Sequence, residues 1–236
     1  MSTAYAELKE QAWRANLDIE RLVERTWGNA SAADAQAGVM AIKPSGVPYD
    51  RLAVDDMVVL SLETGEVVEG RFHPSSDAPT HLALYRAWPD VGAIVHTHSP
   101  YAVSWAQAEL PIDCLGTTHA DHFRGSIPVT RRMREDEIAE EYERNTGLVI
   151  VECFEQGGID PVEMPAVLVA CHGPFAWGGN AAEAVENAIV LETVACMAWR
   201  TRLLRPEAGP IDDALRDKHF LRKHGPEAYY GQARKE

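Results

Sequence analysis

The chain has 236 residues, 46% hydrophobic and 25% charged, and its 22 basic against 36 acidic residues leave a net charge of -14. That length suits one domain over residues 1–236 with room for a full core. The acidic balance argues against a nucleic-acid partner, and no apolar run approaches the roughly 18 residues that span a bilayer, so no membrane partner is expected.

At the amino end, Glu7, Lys9 and Glu10 interrupt the apolar residues, so no secretory signal is read and cytoplasmic residence is expected. Leu8, Ala12, Ala15, Ile19 and Leu22 recur at helical spacing, and this helix is expected to end before a turn at Trp27, Gly28 and Asn29. Residues 38–43 and 57–62 read as strands, the second joined through Glu63, Thr64 and Gly65 to residues 66–69 as a hairpin. Ser75 or Ser76 is expected to cap a helix reaching about Trp88, with Pro79 in its first turn. A strand over 93–98 follows, then a helix with Ser99 as cap and Pro100 as first residue. Residues 116–122 read as a loop, 135–145 as a charged helix, 149–154 and 166–170 as buried strands, and 181–204 as a long helix. Because of the hairpin, the sheet between these helices is expected to be mixed rather than purely parallel.

The chemistry begins at His96 and His98. In an extended strand their side chains share one face, Thr97 pointing to the other, so the pair can grip one metal ion. His172 closes a second apolar run, and Asp77 at a helix start could add an oxygen ligand; such a set suits zinc or a similar divalent ion. Asp77 also reads simply as a carboxylate favoured beside a helix dipole, and His172 as a strand-end turn residue. His73, His81 and His224 read as surface residues.

Three short segments offer donors to a phosphate, namely Gly28 with Asn29, the run Lys43, Pro44, Ser45, Gly46, and Ser75 with Ser76. The same residue types also make plain turns. Asp121 reads either as an exposed loop carboxylate or as a proton-transfer group, and Tyr229 and Tyr230 either pack or exchange protons. Cysteines 114, 153, 171 and 196 have no Cys-x-x-Cys spacing, and no dinucleotide fingerprint, Walker loop or nucleophile elbow is present. Lewis-acid catalysis remains.

Eight motifs in order, TWGNASA, AIKPSG, HPSSDAPTH, AIVHTHS, GTTHADHF, VACHGPFAWG, DKHFLRKHG and AYYGQ, resemble the L-ribulose-5-phosphate 4-epimerases of the class II aldolase and adducin-head family, over about residues 8–232. The resemblance implies an α/β fold with a mixed, largely antiparallel central sheet layered between helices. It implies that Asp77, His96, His98 and His172 bind Zn2+ or another divalent metal. It further implies that Gly28, Asn29, Lys43, Ser45, Gly46, Ser75 and Ser76 contact a small phosphorylated ketopentose, that His219 helps hold its phosphate, and that Asp121 and Tyr230 form the proton-transfer pair. A homotetramer with sites at subunit boundaries is implied as well. His122 and Arg124 depart from the family, whose members more often carry tyrosines there.

The chemistry is consistent with that set. C4 of a ketopentose is not adjacent to the C2 carbonyl, so simple enolisation cannot invert it; without a redox cofactor, cleavage between C3 and C4 is the available route. It would give an enediolate of dihydroxyacetone and glycolaldehyde phosphate, and re-addition to the turned aldehyde would give the other configuration. The alternatives are a sugar-phosphate aldolase that releases the fragments, whose members tend to carry glutamate in place of Asp77, and a non-enzymatic adducin-like scaffold.

Overall fold

In the computed structural model, which describes residues 5–229, the strands are β1 Gly28–Asp34, β2 Val39–Ile42, β3 Val58–Ser61, β4 Val67–Glu69, β5 Ala93–Thr97, β6 Ala166–Leu168 and β7 Pro174–Gly178. They form one sheet in the order β4-β3-β2-β1-β5-β7-β6. Among the described residues every strand pair is antiparallel, and parallel pairing is confined to the bridge between Val129 and Leu168. The expected hairpin of residues 57–69 is β3 with β4. Helices α1 Ala6–Ile19, α2 Ala78–Ala87, α3 Pro100–Ala108, α4 Thr117–Ala120, α5 Glu135–Ala139, α6 Tyr142–Gly157, α7 Ala181–Leu204 and α8 Asp213–His224 complete the order.

The two faces of the sheet carry different partners. On one, Ala32, Val39, Ala41 and Val59 pack against Leu8 and Ala12 of α1, and α7 runs alongside over β5 and β7. On the other, Met40, Ile42, Leu60, Ile94 and Trp177 meet α2, and α6 lies against that helix. Gly147 of α6 permits the contact, because a Cβ there would sit 2.6 Å from the Ala83 Cβ and 2.9 Å from the Thr80 carbonyl oxygen.

Three expectations change. The segment 149–154, rich in β-branched residues, lies inside α6; Val149, Ile150 and Phe154 bury one side of a helix, and packing against α2 overrides strand propensity. The charged helix expected over 135–145 is broken in two at Glu141, which takes a left-handed φ of 50° just before α6. The turn expected at Gly28 and Asn29 is the start of β1, the strand between β2 and β5.

Helix starts differ in detail. Asp77, not Ser75 or Ser76, occupies the cap position of α2, and its backbone N–H donates to Ser75 Oγ at 3.3 Å. Ser99 stands at the cap of α3, but the free N–H groups of Tyr101 and Ala102 donate to the Glu192 carboxylate of α7, each at 2.9 Å. The expected loop at 116–122 contains α4. Among the described residues no helix is long and apolar enough to cross a membrane.

Candidate functional site

His96 is the fourth of the five buried residues of β5, and its ring stacks on Phe175, its partner across the ladder, with centroids 4.3 Å apart. Its Nδ1 lies 2.9 Å from the Pro174 carbonyl oxygen, which can only accept, so Nδ1 carries the proton and Nε2 presents a lone pair. That Nε2 is 3.0 Å from Nε2 of His98. Two lone pairs cannot face each other so closely without a proton or a cation between them.

His172 joins them from the turn between β6 and β7, where Cys171 holds a left-handed φ of 61°. Its ring lies 4.8 Å from that of His96 and 5.2 Å from that of His98, and one nitrogen of each of the three histidines falls within 4.8 Å of the others. Burial, with His96 adding to it, pushes the His98 pKa down, and burial with His96 and His98 takes His172 down to about 4. Nδ1 of His172 is buried without a hydrogen-bond partner among the described residues. Three crowded imidazoles, with burial disfavouring the charged forms of His98 and His172, fit a divalent cation.

Asp77 approaches the cluster from α2, near enough for its charge to interact with His96 and His172, but the ligand atoms that fall within 4.8 Å of one another are those of the three histidines alone. Asn29 and Ser31 share one face of β1, and Asp77, His81 and Tyr85 recur every fourth residue on α2, so the two rows form a seam. Along it Asn29 Nδ2 donates to Asp77 Oδ2 at 2.6 Å, Ser31 Oγ meets His81 Nδ1 at 2.7 Å, and Tyr85 Oη meets Ser31 Oγ at 2.8 Å. Burial alone would raise the Asp77 pKa, but His96, His81, the Asn29 amide and His172 together hold it below the usual carboxylate value. His81, expected at the surface, is fully buried, and burial takes it down to about 3.

The three turn-like segments converge beside Asp77. Ser45 N donates to the His73 carbonyl at 3.0 Å and Ser75 N to the Lys43 carbonyl at 2.9 Å, so the loops around Lys43 and Ser75 are zipped together. Gly28 is held by Tyr49, whose Oη donates to the Gly28 carbonyl at 2.7 Å. It takes a φ of 131°, and a Cβ there would lie 2.9 Å from the His96 carbonyl oxygen. Lys43 is 2% exposed, with its ammonium 3.5 Å from the Pro44 carbonyl oxygen and 4.9 Å from the Tyr49 ring centre. Burial lowers its pKa to about 8. Ser45, Gly46 and Ser76 are exposed at the rim, and Gly46 takes a φ of 69°.

Asp121 and His219 lie together elsewhere. The Asp121 carboxylate accepts from His219 Nδ1 at 2.9 Å and from Arg222 Nε and Nη2 at 3.1 and 2.8 Å. Burial opposes ionisation there, but the bonds from Arg222 and His219 and the charge of Lys223 hold its pKa below the usual range. None of these bonds reaches the histidine cluster. His122, Lys223 and His224 line a cavity of about 590 Å³ with Gly178 and Gly179, at the end of β5 and β7 opposite His96. Thus the structure does not bring His219 to Lys43 within one chain. Arg124 pairs with Glu163 and Asp217, and His122 accepts from Lys223 at 3.3 Å. Tyr230 lies outside the described residues.

Sequence reasoning missed His81, Arg222 and Tyr142. His81 is four residues beyond Asp77 and Arg222 three beyond His219, spacings that place each pair on one helix face. Tyr142, whose ring lies 6.3 Å from His172, was hidden because the segment after it reads as a strand.

Comparison with known proteins places this geometry. Residues 12–199 match the family described as Class II Aldolase and Adducin N-terminal domain. The chain is 55% identical over 228 residues to L-ribulose-5-phosphate 4-epimerase UlaF of Salmonella paratyphi B, covering 96% of this chain and 99% of that one. The same enzyme of Salmonella typhi is likewise 55% identical over 96% of this chain and 99% of its own. Among solved structures, an L-fuculose 1-phosphate aldolase superposes with a TM-score of 0.75 at 25% identity, over 93% of this chain and 96% of that one. YgbL of Klebsiella pneumoniae shares the fold with a TM-score of 0.70 at 24% identity, over 92% and 99% of the two chains.

Proposed function

We propose, from the fact that the chain belongs to the class II aldolase and adducin N-terminal domain family, that it is a divalent-metal-dependent L-ribulose-5-phosphate 4-epimerase. It interconverts L-ribulose 5-phosphate and D-xylulose 5-phosphate by breaking and remaking the bond between C3 and C4. The observation that carries this reading is the convergence of His96, His98 and His172 within 4.8 Å, with the Asp77 carboxylate, held by Asn29, close enough to interact with the charges of His96 and His172.

Asp77, His96, His98 and His172 hold the cation, which the reading takes as zinc. When bound, zinc supplies Lewis-acid stabilisation of the negative charge that develops as the carbon-carbon bond breaks. Lys43, with the exposed Ser45, Gly46 and Ser76 and the backbone at Gly28, Asn29 and Ser75, binds the phosphate and keeps the aldehyde fragment from leaving. Among the described residues the buried Lys43 ammonium has a distant carbonyl and a ring face for company, which supports that role, since a dianion supplies a strong partner.

Asp121 and Tyr230 exchange the proton of the C4 oxygen from opposite faces of the aldehyde. Because Asp121, His219 and Arg222 lie apart from the histidines of their own chain, they serve the site of a neighbouring subunit in a homotetramer.

Incubation with L-ribulose 5-phosphate tests the reading. D-xylulose 5-phosphate is the expected product; accumulation of glycolaldehyde phosphate would identify an aldolase instead. A protein that binds no divalent ion and turns over nothing when supplied with zinc would be a scaffold.

A further inference from the structure

Among the described residues, two buried polar atoms on side chains that interact with Asp77 are left without partners, Oδ1 of Asn29 and Nε2 of His81. Both side chains are enclosed, Asn29 at 3% exposure and His81 at 0%. The roles of these atoms follow from their neighbours. Asn29 commits its Nδ2 to the Asp77 carboxylate, which only accepts, so its Oδ1 is an unused acceptor.

The other half of the seam sets His81. The buried phenol of Tyr85 must place its proton, and Ser31 Oγ lies 2.8 Å from it. With that bond accepted, the Ser31 hydroxyl gives its own proton to His81 Nδ1 at 2.7 Å. The neutral ring therefore carries its hydrogen on Nε2, as an unused donor on a side chain close enough to interact with the Asp77 charge. A donor and an acceptor, both buried, both bordering a carboxylate and not bonded to each other, describe the surroundings of one water molecule: it accepts once and donates twice.

Resting on the reading that Asp77 is a metal ligand, we infer that a single water molecule bridges His81 Nε2, Asn29 Oδ1 and the Asp77 carboxylate, making His81 a positioning residue for Asp77. Asn29 grips the acid directly and His81 grips it through the water, so the carboxylate is oriented before a cation arrives. The chain Tyr85, Ser31, His81 fixes the ring that holds the water.

The test combines a high-resolution crystal structure of the unmodified protein with calorimetric titration of the metal-free protein by zinc. The crystal is expected to show one ordered water in the seam. His81→Leu is expected to weaken zinc binding by about 10- to 100-fold, the usual range for groups that support ligands, and His81→Gln, which again offers a donor, to recover most of it. An empty seam, or unchanged affinity in His81→Leu, overturns the inference and leaves the metal reading standing. An unmodified protein that takes up no zinc overturns both. Should the leucine variant fail to fold, the crystal of the unmodified protein decides alone.

Discussion

Asp121 and Arg222 meet through a forked ion pair, Nη2 to Oδ2 at 2.8 Å and Nε to Oδ1 at 3.1 Å, and His219 adds a third bond to the same carboxylate. Such a group is held in its ionised form at neutral pH, and on the reading proposed above it takes the proton of the substrate's C4 hydroxyl. Asp121→Asn keeps the shape and removes the base. Its kcat is expected to fall by roughly 10²- to 10⁴-fold while the bound metal is unchanged. Metal lost in step with activity would place Asp121 in the structure of the metal site instead.

The histidine cluster gives the converse result. His98→Ala and His172→Ala each remove one nitrogen from a set that falls within 4.8 Å. Purified variants are expected to retain less than about a tenth of the divalent metal bound by the unmodified protein, measured by elemental analysis, with activity falling in proportion. Full activity after loss of His98 would refute a metal role for the cluster.

Lys43 makes a prediction about pH. Its pKa of about 8 means that the buried ammonium is charged at neutrality and loses its proton as pH rises through that value. KM for the sugar phosphate is therefore expected to climb above about pH 8, and Lys43→Met is expected to show a high KM without that climb. Stability moves the other way. The unfolded lysine, near 10.5, holds its proton after the folded one has released it, so the protein gains stability between about pH 8 and 10.5. Thermal melting of the methionine variant should lack this rise.

Carbon-carbon cleavage leaves the C4 hydrogen on carbon throughout. Turnover in deuterium oxide followed by NMR of the product is expected to show no deuterium at C4. Its incorporation there would demand a carbanion at C4 and a different reaction.

Much of this could be read from the chain. The pairing of His96 with His98 follows from strand alternation, and the end of a second apolar run marks His172. What stayed hidden has physical causes. Strand β1, Gly-Asn-Ala-Ser-Ala-Ala-Asp, has none of the β-branched or aromatic residues that announce a strand. It is a strand because Asn16 of α1 accepts from the Ala30 N–H and donates to its carbonyl, and because β2 and β5 take the remaining bonds. The reverse error at 149–154 has the same root, since β-branched residues there serve a helix packed against another helix. His81 escaped notice because a lone histidine between Thr80 and Leu82 gives no sign that its face of the helix is covered.

The Glu192 carboxylate that accepts from Tyr101 and Ala102 makes one helix borrow its beginning from another. The short segment Pro100–Ala108 has no start signal of its own that is satisfied locally, and a peptide of that length alone in water does not hold a helical conformation. It acquires helical order only when Ala181–Leu204 is docked, so the two are expected to melt as one cooperative unit, and loosening of the long segment is transmitted directly to the residues that follow His98.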